Sequence, residues 1–276
     1  HTRRQVLDLL GDHGLRPSRA LGQNFVADPN TVRRIARLAR VGPGARVVEI
    51  GAGLGSLTLA LAETGASVTA VELDRHLVPV LRSVVSGVAG VEVVEGDAMT
   101  LDWSALLGAD GGSAPRYTLV ANLPYNLATP LVLDLLDHVP AIERMLVMVQ
   151  REVGERLAAG VGDEQYGLPS VKVAYWATAS VVGRVPPTVF VPQPKVESAL
   201  VNIVRRDQPA VDADPAVLFE LTRAGFGQRR KMLRRALAGL VDGAAFACAG
   251  VRPEARAEEL DVEAWGRLAA CLGPSS

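Results

Sequence analysis

The 276-residue sequence predicts an α/β fold: a doubly wound, Rossmann-like, mostly parallel seven-stranded sheet with one antiparallel strand, followed by a small all-α domain. Three observations predict it. Apolar strands alternate with amphipathic helices from Arg46 to Val204. A glycine-rich turn, Gly51-Ala52-Gly53-Leu54-Gly55, joins the first of these strands to a helix. Beyond Arg205-Arg206-Asp207-Gln208-Pro209, which reads as a linker, every segment is helical. The boundary falls at 206/207, between a 1–206 α/β domain and a 207–276 helical domain.

Composition sets outer limits. An apolar content of 49% is ample for a packed core at this length. A net charge of −1 excludes a protein that binds nucleic acid over its whole surface, so such binding must come from local clusters. The two cysteines, Cys248 and Cys271, lack metal-ligand spacing, argue against a disulfide framework or zinc site, and fit a reducing cytosol. No run reaches the ~18 apolar residues of a membrane span, and no charged-then-apolar leader opens the chain at His1. The expectation is a cytoplasmic protein without membrane or metal.

Residues 1–40 are basic, with Arg3, Arg4, Arg16, Arg19, Arg33 and Arg34 among their arginines; on their own charge they read first as a pair of solvated helices and only second as a ligand surface. Between the helices, Leu21-Gly22-Gln23-Asn24-Phe25-Val26 sets polar amides in an apolar knot. Asp28-Pro29 supplies the cap and first position of a helix. Strands follow at Arg46–Ile50, Ser67–Val71, Val91–Glu95 and Tyr117–Ala121, then Ile142–Val149, with helices between them and a short acidic-apolar segment before Tyr117. Two further strands, near Ala179–Val185 and Ala199–Val204, flank a proline-rich loop too short for a parallel crossover. That predicts an antiparallel strand at the end of the sheet. The last domain has helices at about 215–225, 228–240, 243–249 and 261–272.

The glycine turn alone is weak evidence for any one ligand. A dinucleotide fingerprint beginning at Gly51 needs glycine at position 56, where Ser56 stands. The pattern present, Glu49-x-Gly51-x-Gly53-x-Gly55, suits a ligand without a pyrophosphate whose aminoacyl end lies on bare backbone. Glu72 ends the second strand, where an acid accepts hydrogen bonds from ribose hydroxyls, and Asp97 follows the third, within reach of an exocyclic adenine amine. Singly, each acid is equally a solvated loop carboxylate. At successive strand ends on one edge of the sheet they point to S-adenosylmethionine.

The fourth strand runs into Asn122-Leu123-Pro124-Tyr125. An amide oxygen, a carbonyl freed by a turn and a flat ring are the groups that hold a planar amine. With this motif the chain resembles the ribosomal RNA adenine N6-methyltransferases, and within them the dimethyladenosine transferases that modify two adjacent adenosines near the 3′ end of small-subunit (16S) ribosomal RNA. The resemblance runs from Leu21 to Leu268 and rests on Leu21–Phe25, Glu49–Gly55, Glu72–Asp74, Gly96–Ala98, Asn122–Asn126, Gln150–Val153, Phe190–Ala199 and Phe226–Lys231. The family usually has Phe where this chain has Leu21.

The resemblance implies a class I S-adenosylmethionine-dependent methyltransferase fold. It also implies cofactor contacts at Asn24, Val26, Gly51, Gly53, Glu72, Asp97, Ala98 and Asn122, and a base held by Asn122, Leu123, Pro124 and Tyr125. Its implied partner is 16S rRNA in the small (30S) subunit or its precursor; nothing in the sequence demands more than a monomer. Phe190 is a candidate second stacking wall and equally a plug beneath the proline loop. Arg223, Arg229, Arg230, Lys231 and Arg234, with Arg235, crowd one expected helix, as an RNA surface or a solvated face. A large-subunit methyltransferase of the macrolide-resistance type and a non-catalytic assembly or transcription-factor relative are the alternatives.

Overall fold

A computed structural model describes residues 1–108 and 115–272. They form two compact units: His1–Gly154 with Ser180–Val204, and Glu155–Ala179 with the residues from Arg205 onward. Residues 155–179 therefore belong with the C-terminal helices, which a boundary drawn at 206/207 leaves on the other side.

The first unit opens with α1 (Arg3–Asp12), the two-residue strand β1 (Phe25–Val26) and α2 (Pro29–Ala39). Alternation then runs β2 (Arg46–Ile50), α3 (Ser56–Ala62), β3 (Ser67–Glu72), α4 (Val78–Val84), β4 (Val91–Glu95), α5 (Trp103–Leu107), β5 (Tyr117–Asn122), α6 (Ala128–His138) and β6 (Ile142–Gln150). Part of the acidic-apolar stretch before β5, residues 109–114, lies outside the described residues. Next come α7 (Arg151–Ala158), α8 (Leu168–Trp176), β7 (Ala177–Val185), the short β8 (Phe190–Val191) and β9 (Ser198–Arg205). The remainder is α9 (Pro215–Gly227), α10 (Leu233–Ala236), α11 (Gly243–Ala249) and α12 (Val262–Ala270).

The seven strands lie in the order β4-β3-β2-β5-β6-β9-β7. β4 to β6 are mutually parallel. The central β2 is buried from Val47 to Ile50 and β5 from Leu119 to Ala121, as a sheet covered on both faces requires. β9 runs antiparallel to β6, from Arg144↔Val204 to Gln150↔Ser198. The antiparallel strand is thus internal, with β7 at the edge, rather than at the end of the sheet. The chain reaches the edge first and returns through the proline-rich loop into the place beside β6.

Strand order reverses between β2 and β5: the chain builds outward through β3 and β4, then crosses back to β5. The crevice outside the carboxyl ends of these strands is where such sheets bind ligands. A small antiparallel pair, Phe25↔Val191 and Val26↔Phe190, closes over the same end of the unit. It sets Phe25 into a cluster with Val6, Leu10, Leu54 and Leu77. Phe190 is fully buried among Val26, Ile35, Leu57 and Leu200. A ring with no exposed face cannot stack on a base, so Phe190 is the plug and not the wall.

The second unit is built around Trp265, Leu218, Phe219, Leu233 and Phe246 from its C-terminal helices, together with Tyr166, Val171 and Tyr175. The helix expected over 228–240 is present only as the single turn of α10. Cys248, in α11, and Cys271, capping α12, are joined by a disulfide with Cα atoms 6.1 Å apart. This corrects the expectation of two unpaired thiols fitting a reducing cytosol: spacing in the sequence gives no sign of the pair, because helix packing and not chain proximity brings the two thiols together.

Candidate active site

β2 delivers its chain directly into the glycine turn. Gly51, Gly53 and Gly55 all take positive φ, and the turn ends on the first residue of α3. At Gly53 (φ +58°) a Cβ would lie 3.0 Å from Cε1 of Phe25, so only glycine lets the backbone pass beneath that ring. The bare turn forms one wall of a cavity that also includes Asn24 and Val26 from the N-terminal segment. Glu72, Asp97 and Ala98, and Asn122 to Tyr125 from the turn after β5, line the same cavity. Apart from Phe190, every residue expected at the cofactor or the base lines this one cavity.

The acids differ sharply in their surroundings. Glu72 is 6% exposed, and both its oxygens are engaged: Oε2 accepts from the Gly53 N–H (2.7 Å) and Oε1 from the Asp74 N–H (2.8 Å). Burial raises its carboxyl above the usual range while these amides pull it back. It ties β3 to the glycine turn as well as facing the cavity. Asp97 Oδ1 accepts from the Met99 N–H, an Asx-type turn that turns the loop after β4 toward the cavity. Glu49, at 1% exposure, has no such help. Its Oε2 and Ser56 Oγ are buried with no hydrogen bond of good geometry, and the Thr58 hydroxyl alone bears favourably on the carboxyl.

The turn after β5 is held from two sides. The Leu123 N–H donates to the Met148 carbonyl of β6, and the Pro124 carbonyl accepts from Leu127 and Ala128, starting α6. None of these bonds is spent on the Leu123 carbonyl. The Asn122 Nδ2 donates to the Asn24 carbonyl at 2.9 Å. That contact sets which way the amide points and leaves Oδ1 as its free acceptor.

Asn24 in turn donates from Nδ2 to the Gly22 carbonyl, and Gln23 Nε2 donates to Asp74 at 2.8 Å. Residues 18–24 are therefore a strap fastened to both the loop after β3 and the Asn122 turn. Gly22 (φ +62°) passes so close that a Cβ there would lie 3.3 Å from Cβ of Pro124. Tyr125 is half-buried, its hydroxyl 3.3 Å from Oγ of the fully buried Ser198. Burial raises the phenol, with Ser198 acting the other way, so the ring stays neutral.

The residues from 15 to 272 match the model of a family described as ribosomal RNA adenine dimethylase. The chain belongs to that family. Within reach of the ribosomal RNA adenine dimethylases, it is similar to a protein of Cutibacterium acnes named "Ribosomal RNA small subunit methyltransferase A", at 48% identity over 98% of this chain and 92% of that one. A protein of Streptomyces coelicolor with the same name is 47% identical over 96% of this chain and 94% of that one.

Among solved structures it is similar to the 23S rRNA methyltransferase ErmE, with a TM-score of 0.67, 27% identity, and coverage of 91% of this chain and 100% of that one. A dimethyladenosine transferase from Plasmodium falciparum shares the fold, with a TM-score of 0.70 at 23% identity over 87% of this chain and 94% of that one.

Three parts of this dimethylase cavity escape a reading of the sequence. Leu73 (43% exposed) and Met99 (37%) are large apolar side chains left open at the cavity, each next to an acid or within two residues of it. An apolar residue at a strand end, where solvent is expected, is the signal that marks them. Glu49 is visible in the glycine motif, but its lack of partners is not. Among the described residues no group of three His, Cys, Asp or Glu could hold a metal ion.

The basic residues lie in the second unit and are not on one helix. Arg223 is on α9; Arg229, Arg230 and Lys231 are in the following turn; Arg234 and Arg235 are on α10. All are exposed, and two are ion-paired, Arg229 with Glu258 (2.7 Å) and Arg234 with Glu254 (3.4 Å).

Proposed function

We propose that the protein dimethylates the N6 amines of two adjacent adenosines near the 3′ end of 16S rRNA. It uses S-adenosylmethionine and acts as a cytoplasmic monomer on the small ribosomal subunit or its precursor. The single observation that carries this is the fixed orientation of the Asn122 amide, whose oxygen is left free, as is the next residue's carbonyl, at the cavity that the glycine turn, Glu72 and Asp97 also line. The choice of the small subunit draws on the 47–48% identical relatives against 27% for ErmE.

The residues present fit the cofactor. Glu72 and Asp97 offer acceptors to the ribose and adenine, Leu73 and Met99 offer apolar walls to a flat ring, and the glycine turn offers bare backbone. The buried Glu49 Oε2 and Ser56 Oγ lack partners that an aminoacyl group brings. When bound, S-adenosylmethionine supplies a methyl group already activated by its sulfonium.

No strong base is then required of the protein. The adenine amine is a poor nucleophile because its lone pair is shared with the ring. Asn122 Oδ1 and the Leu123 carbonyl accept its two hydrogens and favour a pyramidal nitrogen, an interaction that strengthens as positive charge develops there. The Pro124 turn holds that carbonyl in place, and Tyr125, neutral and steadied by Ser198, gives the extruded base a stacking face worth ~1–3 kcal/mol. The exposed arginines of the second unit supply phosphate contacts.

Transfer of labelled methyl groups to isolated 30S and 50S particles tests both substrate and mechanism. The expected outcome is incorporation into 30S alone, falling about 100-fold or more in Asn122→Ala while nucleoside binding stays within about tenfold. Labelling of 50S would overturn the substrate, and normal transfer by the variant would overturn the role of Asn122.

A further inference from the structure

Two carboxylates stand side by side at the carboxyl ends of β2 and β3, and the fold treats them in opposite ways. Glu72 receives two backbone N–H groups. Glu49 receives none, although it is the more deeply buried and lines the same cavity. Its strand neighbours are Ala70 on β3 and Val120 on β5, both uncharged. α3, with the sequence Ser-Leu-Thr-Leu-Ala-Leu-Ala, carries no charge either. The hydroxyl of Thr58 lies on that helix, and the charged group that bears on Glu49 is Glu72, of the same sign.

An ionised carboxylate is not sustained in such a place without a partner; it keeps its proton until one arrives. Burial, aggravated by Glu72 and eased by Thr58, pushes the Glu49 carboxyl up to about 8. The missing partner must be cationic, must bring its own N–H donors, and must fit against the glycine turn. An α-ammonium group on an aminoacyl chain has that chemistry. A ring nitrogen or a ribose hydroxyl does not.

We propose that Glu49 makes cofactor binding proton-linked and selective for an ammonium-bearing ligand. Glu49 is a neutral acid in the free protein and becomes the anionic anchor of the ligand's ammonium in the complex, releasing its proton to solvent. The inference rests on the cofactor reading above and adds to it a proton that must be counted in each binding event. It also separates the roles of the two acids: Glu72 stays tied to the turn, whereas Glu49 changes charge.

Calorimetric titration of the full chain with S-adenosylmethionine, S-adenosylhomocysteine and 5′-deoxy-5′-methylthioadenosine tests this, at pH 6.5 in buffers of different ionisation enthalpy. At that pH a ligand α-amino group, ordinarily titrating near ~7.7–8.0, is already protonated. The expected result is release of close to one proton with the first two ligands and none with the third, which lacks the amino group. Glu49→Gln should abolish the release while still binding.

The wild type also reports without the variant. Its affinity for S-adenosylhomocysteine should rise with pH between 6 and 7.5, approaching about tenfold per unit. The infrared difference spectrum on binding should lose a protonated-carboxyl band. Binding with no buffer dependence, or unchanged proton release in Glu49→Gln, would overturn the inference and leave the cofactor reading standing. Failure of all three ligands to bind the wild type would overturn both.

Discussion

Gly53 shows how much one residue decides at this site. Its φ of +58° and the 3.0 Å approach of a Cβ to Phe25 leave no side chain a place. Gly53→Ala must accept both a left-handed backbone, at about 1–2 kcal/mol, and displacement of the ring. Nucleoside binding is expected to weaken by about tenfold or more, since ~1.4 kcal/mol is a factor of ten. Titration calorimetry reads this directly; unchanged affinity would mean that the turn does not touch the ligand. The sequence shows Gly53, Glu72 and Asp97 plainly, because each belongs to a spaced motif at a strand end. It cannot show that Glu72 receives two backbone donors and Glu49 none, because the direction of those amides is set only by the folded turn.

At the scale of elements, local signals succeeded where the local chain supplies the partners. Asp28 caps α2 as its position before Pro29 suggests: Oδ2 accepts from the Thr31 N–H at 2.8 Å and from its hydroxyl at 2.5 Å. The helix then lays Val32, Ile35, Ala36 and Ala39 into the core. Asp28→Ala is expected to cost about 1 kcal/mol. In a unit of this size that lowers the melting temperature by about 2–4 °C, measurable by calorimetry; no change would mean the α2 start is held by packing alone. Local signals failed for residues 228–240, which are good helix formers from Gln228 to Ala238. There the Leu233 and Arg234 N–H groups donate to the Ala255 and Pro253 carbonyls, so distant chain claims amides that an uninterrupted helix would use. The placing of β9 beside β6 escaped for a related reason: strand order is a property of the sheet, and hairpin spacing constrains only direction.

At the scale of the whole chain, the two units are interleaved in sequence. Tyr175 packs edge-on against Phe219 at 5.3 Å, and the Tyr166 hydroxyl donates to the Leu260 carbonyl at 2.7 Å. A fragment 1–206 keeps Tyr166, Val171 and Tyr175 and loses the apolar partners that bury them. It is expected to be largely insoluble or to bind a hydrophobic dye strongly, whereas the full chain does neither; a soluble, cooperatively melting fragment would contradict this.

The inward seat of β9 also has a temporal side. During synthesis, β6 leaves the ribosome as a long apolar strand with one flank open. Its neighbour β9 emerges about fifty residues later, a wait of several seconds at about 5–20 residues per second. For that interval the newborn protein carries an adhesive border. Rare codons or a pause between β6 and β9 would lengthen the exposure, and a bound chaperone would shorten it.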